Sequence, residues 1–135
     1  MNAVDTNILV RFLTRDDEIQ SFQAKWILER EEVWISKTVL LEADWVLRSV
    51  YRFQNPDIRA AFTTLTGLPN ITVEDQADVM NALSLGEVGI DFADTLHLVS
   101  RPAGAMFRSF DQTLVRRAQR AGIPDVKLVG KSNLN

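Results

Sequence analysis

The sequence predicts an α/β fold in three layers, a short and mainly parallel central sheet flanked by helices. Three observations carry this. Short apolar, β-branched runs recur along the chain, helical periodicity fills the intervals between them, and lone acids stand where one pattern gives way to the other. Strands that alternate with helices form parallel sheets covered on both faces.

Asn2 to Val4 reads as a short buried strand, and Asp5-Thr6-Asn7 supplies helix-start chemistry before Ile8, Leu9, Phe12 and Leu13. Helical spacing resumes from Glu18 to Glu29 through Ile19, Phe22, Trp26 and Ile27, followed by a second strand, Val33-Trp34-Ile35. Ser36 ends that strand and opens the longest periodic segment, Val39 to Phe53, which Asn55-Pro56 stops ahead of a helix from Asp57 to Leu65. Ile71-Thr72-Val73 is the third strand, and Glu74 to Leu85 is a helix closing near Gly86 and Gly89. The alternation then repeats: helix Asp91 to Ser100, strand Met106 to Phe110, helix Asp111 to Ala121 with Gly122 beyond it, and a last strand Val126 to Val129. No repeat, low-complexity tract or linker divides the chain, so residues 1–135 are expected to form one domain.

Composition excludes several classes. A chain of 135 residues buries roughly two thirds of its unfolded surface, enough for a core without covalent staples. It has no cysteine, which rules out disulfides and thiolate metal sites. No apolar run is long enough to cross a bilayer, and Ala3-Val4-Asp5 leaves no room for a signal peptide, so a soluble, cytoplasmic protein is expected. The formal charge of −3 speaks against binding nucleic acid by bulk electrostatics alone, though positive charge is concentrated locally. Arg48 and Arg52 share a helix face, as do Arg116, Arg117 and Arg120, and Arg48, Arg116 and Arg117 are candidates for phosphate contacts.

The acids carry the chemistry. Asp5 and Asp111 each follow a strand, where open parallel sheets bind ligands at their carboxyl edge and where Asp is also a common helix cap. Glu42 lies at the border of an apolar arc made by Val39, Leu40, Ala43, Val46, Leu47 and Val50. Asp44 and Arg48 point the other way, as an expected solvent-facing pair. Asp91 and Asp94 share a helix face and repel, with His97 one turn further on. Carboxylates bordered by apolar residues are costly without a cation, and hard ions such as Mg²⁺ and Mn²⁺ take oxygen ligands. There is no GxGxxG, Walker lysine or G-x-S-x-G elbow to support nucleotide-cofactor or serine chemistry.

Val4-Asp5-Thr6-Asn7, Leu41-Glu42-Ala43, Asp91-Phe92-Ala93-Asp94 with Thr95-Leu96-His97, and Ser109-Phe110-Asp111, in this order, resemble the PIN domain. More narrowly, the chain is similar to the VapC toxins of bacterial type II toxin–antitoxin modules, over nearly its whole length. The resemblance implies a PIN-like fold and a Mg²⁺- or Mn²⁺-dependent endoribonuclease, usually a homodimer, inhibited by a VapB-type antitoxin that inserts a segment into the acidic groove. Asp5, Glu42, Asp94 and Asp111 would be the acidic quartet, with Asp5 and Asp94 as direct metal ligands. Thr6 and Ser109 would be hydroxyl supports, Asn7 would have an orienting role, and Asp91 is added as a further supporting acid. Many relatives carry another acid where this chain has Thr113, so one well-held ion is expected, with a second recruited by substrate. Trp45, Phe53 and Phe62 are apolar residues for either an interface or the core. The competing expectation is a non-catalytic metal- or phosphate-binding regulatory or interaction domain on the same fold. A receiver-like site fits it poorly, because Lys127 lies within a strand and no middle strand ends in Asp.

Overall fold

In the computed structural model, which describes residues 1–130 apart from the Glu87 side chain, helices and strands alternate in the expected order. The strands are β1 (Asn2–Ala3), β2 (Val33–Ile35), β3 (Ile71–Val73), β4 (Phe107–Ser109) and β5 (Val126–Leu128). The helices are α1 (Thr6–Thr14), α2 (Glu18–Arg30), α3 (Lys37–Ser49), α4 (Asn55–Thr66), α5 (Gln76–Ser84), α6 (Phe92–Val99) and α7 (Gln112–Arg120), with a 3₁₀ turn at Leu85–Val88. This is the α/β/α arrangement, and every ladder among the described residues is parallel.

Local chemistry sets the helix starts. The side chains of Asp5, Asp17, Ser36 and Asp111 accept hydrogen bonds from the backbone N–H of Ile8, Gln20, Val39 and Leu114 at 3.3, 2.9, 3.1 and 3.1 Å. Each satisfies a donor that the first turn leaves unpaired. At α4, the Gln54 backbone N–H donates to Asp57 at 2.9 Å in a capping box, and Pro56 lies in the first turn, where its missing N–H costs nothing. The helix placed from Asp57 therefore starts two residues earlier.

Strand pairing departs from a single sheet. Among the described residues the order is β1-β2-β3 in one sheet and β4-β5 in another. In the first, Val33 and Ile35 are in register with Ile71 and Val73, and all four are buried on one face, while Trp34 is half-buried and its partner Thr72 exposed. The helical cover is thus deep on one face and partial on the other. The main core gathers Leu9, Leu28, Leu40, Leu47, Phe62 and Leu96 around that face. A second, smaller core of Ile90, Leu98, Leu114, Val115, Ala118 and Val126 joins α6 and α7 to the β4-β5 ladder. Phe62 is fully buried with its ring edge-to-face on Phe92 at 5.0 Å, Phe53 is half-buried, and Trp45 is 66% exposed. No described helix is long and apolar enough to cross a membrane.

Candidate acidic active site

Asp91, Asp94 and Asp111 line one cleft of about 100 Å³ together with Gly89, Ile90, Thr113, Leu114 and Arg117. A polar space of this size admits water and a small hydrated ion. Three local devices build it. Gly89, at φ +83°, turns the chain out of the 3₁₀ turn in a conformation that L side chains adopt reluctantly, and its carbonyl accepts from the Arg117 guanidinium at 2.6 Å. Asp91 then opens α6: its carbonyl accepts from the backbone N–H and the hydroxyl of Thr95, both at 2.9 Å, and its carboxylate makes no cap hydrogen bond. On the other wall, Ser109 Oγ accepts from the Asp111 backbone N–H at 3.0 Å, and the Ser109 carbonyl accepts from Val129 at 2.8 Å, so the acid sits on a fixed strand end.

Asp94 is half-buried in the first turn of α6. Burial raises its carboxyl above the ordinary range, repulsion from Asp91 adds to this, and Asp111 adds a smaller push, while His97 and Arg48 pull it back. His97 is exposed on the outside of α6, and its influence on Asp94 is through charge alone.

The Asp44–Arg48 pair is not solvent-facing. Asp44 is 4% exposed and takes a 2.9 Å bond from Arg48 Nε, while Arg48 Nη1 lies 3.7 Å from Asp91. The buried stripe of α3 runs through Leu40, Ala43, Asp44 and Leu47, a full i, i+3, i+4, i+7 set, and Val50 at 63% exposure lies outside it. The apolar arc expected through Val39, Val46 and Val50 is thus shifted around the helix to bring Asp44 inward. Burial raises the Asp44 carboxyl despite Arg48, and Asp91 and Asp94 push it further the same way. Arg48 is thus a counter-charge inside the acidic region, with its Nη2 buried and unpartnered, rather than an arginine extended toward solvent. Arg116 is exposed on α7, and Arg117 stands at the cleft.

The other predicted residues are not among those that line this cleft. Asp5 lines a separate surface cavity with Asn2, Ile8, Ile27 and Glu31 and caps α1. Thr6 is buried, Asn7 is exposed, and Glu42 is exposed on α3. β1 and β4, the strands that Asp5 and Asp111 follow, belong to separate ladders among the described residues.

A family model of the PIN domain matches residues 3–118, a span that contains all four quartet acids and Asp91. The chain belongs to the PIN domain family. PIN domains are generally nucleases and typically use divalent metals. No curated protein and no solved structure matches the chain.

The residues fit such an ion in kind. The cleft offers carboxylate oxygens, the donors a hard divalent cation takes, and it holds more negative charge than Arg48 and Arg117 offset. Among the described residues no three His, Cys, Asp or Glu side chains form a ready-made ligand set.

Proposed function

We propose that the protein is a Mg²⁺- or Mn²⁺-dependent endoribonuclease that hydrolyses single-stranded RNA, and that it acts as the VapC-type toxin of a type II toxin–antitoxin pair. On this reading residues 1–135 form a single PIN domain that works in the cytoplasm as a homodimer under control of a VapB-type antitoxin. The observation that carries the nuclease reading is the crowding of Asp91, Asp94 and Asp111 into one cleft of a PIN chain. Motif position supports Asp5 and Glu42 as the remaining members of the quartet, although neither lines that cleft.

Asp94 and Asp111 would hold the ion, with Asp91 beside them. A bound divalent ion lowers the pKa of an attacking water and offsets charge growing on the leaving oxygen. The chain's own groups do the rest. The Asp111 cap and the Ser109 hydroxyl fix one carboxylate, so that little ordering remains to be done when substrate arrives. Arg48 neutralises Asp44, keeping the charge deficit at Asp94 rather than behind it. Arg117, anchored by one nitrogen on Gly89, has further N–H groups to offer a phosphate at the cleft.

The competing, non-catalytic reading draws support from Asp5 and Glu42, neither of which lines the cleft of Asp94 and Asp111. Incubating single-stranded RNA with the purified protein in Mg²⁺ or Mn²⁺ separates the two. Discrete fragments, absent in EDTA and with Asp94→Asn, are expected. Cleavage that survives either control places the activity elsewhere, and no cleavage by folded, metal-loaded protein transfers the fold to an interaction role.

A further inference from the structure

Phe110 is 82% exposed, the highest value among the exposed large hydrophobic residues, and it stands between Ser109 and Asp111 at the edge of the acidic cleft. It is not alone. Along β4 and its flanks the side chains alternate: Phe107 packs into the second core, while Met106 at 51% exposure, Arg108 and Phe110 face solvent. On β5 the register partner of Arg108 is Lys127, also exposed, while Val126 and Leu128 turn to the core. Two cations therefore lie side by side on the open face of the ladder. Among the described residues neither has a carboxylate partner. Like charges paired across a ladder cost stability, and in a chain of net charge −3 nothing in the fold requires them there.

We propose that this face is a single-stranded RNA-binding surface, in which Phe110 stacks on a base and Arg108 and Lys127 contact phosphates, leading the strand to the cleft at Asp111. The proposal rests on the nuclease reading above and adds the substrate path to it. An aromatic platform flanked by basic residues is the usual chemistry for unpaired nucleic acid, because every base has a face to stack and every linkage a charge to neutralise. Here the platform is rigid: Ser109 is tied to Val129 and holds the Asp111 N–H, so the backbone on either side of Phe110 is fixed. A second copy of the chain suits the face less well. A two-fold contact there would bring Arg108 and Lys127 of both copies together.

The test is fluorescence anisotropy of a labelled single-stranded RNA with the full chain in EDTA, so that binding is read without cleavage. Phe110→Ala is expected to weaken binding on the order of tenfold, with Phe110→Tyr restoring it. Changing both Arg108 and Lys127 to Gln is expected to lower the salt slope by about 1.4. In metal-supported cleavage, Phe110→Ala should raise KM with kcat largely kept. Unchanged affinity with Phe110→Ala, in a protein whose wild type cleaves RNA, overturns the surface and leaves the nuclease reading standing. A wild type that neither binds nor cleaves single-stranded RNA overturns both. Concentration-dependent dimerisation abolished by Phe110→Ala would assign the face to a second copy instead.

Discussion

Asp94 and Asp44 are both held above their ordinary carboxyl range, chiefly by burial, and this has a cost that can be measured. A carboxyl whose folded value is raised contributes stability that is fully present below its unfolded value and is lost as pH rises through the folded one. The metal-free protein should therefore weaken as pH rises from about 4 through the raised folded values, and Asp94→Asn should stabilise it at the upper end of that range while abolishing cleavage. Urea melts in EDTA check the first part; a destabilised Asp94→Asn protein would mean that the carboxylate is structural. Arg48 carries the opposite expectation. Arg48→Met leaves Asp44 buried without its partner and should cost on the order of 3 kcal/mol, whereas replacing Asp44 by Leu as well should recover much of it. Equal losses in the single and double variants would show that packing, not charge, dominates.

Among the elements, α1 and α3 are held by polar clasps at their ends. Asp16, just beyond α1, accepts from Tyr51 and Arg11, and these bonds hold its carboxyl below the ordinary range, the tyrosine hydroxyl contributing most. Here the sign reverses: the stability is present above the unfolded value of roughly pH 4 and is lost as pH falls through the lower folded value. Tyr51→Phe should flatten the acid limb of the stability profile below that pH, and an unchanged limb would remove Asp16 from the account. At the other end of α3, Ser36 caps the helix and Lys37 bridges to Asp75 at 2.8 Å, so Ser36→Ala should cost about 1 kcal/mol in thermal melts. Element order was legible in the sequence because short-range chemistry sets it. Asp5, Ser36 and Asp111 announced their helices, and Ile71 to Val73 and Val33 to Ile35 their strands. What was not legible depends on distant partners. Asp44 reads as outward until Arg48 and Asp91 are seen beside it, and the division of the strands into two ladders leaves no local trace. Phe110 had a signal, the alternation from Met106, but it was absorbed into the motif around Asp111.

At the scale of the whole molecule, the second core borders a cleft where negative charge exceeds its compensation, and the residues that create the excess are those that a cation would relieve. Millimolar Mg²⁺ should raise the melting temperature by a few degrees, since a ligand that binds only the folded state stabilises it by mass action. The rise should vanish with Asp94→Asn. The most direct measurement is Mn²⁺ binding, followed by electron paramagnetic resonance of the free ion at neutral pH, in the wild type and in single Asp94→Asn, Asp111→Asn and Asp5→Asn proteins. The account predicts a site in the wild type that is lost with Asp94→Asn and Asp111→Asn, and a loss with Asp5→Asn would join that acid to them. Binding left intact in the Asp94→Asn and Asp111→Asn proteins would contradict the assignment of the cleft as the metal centre.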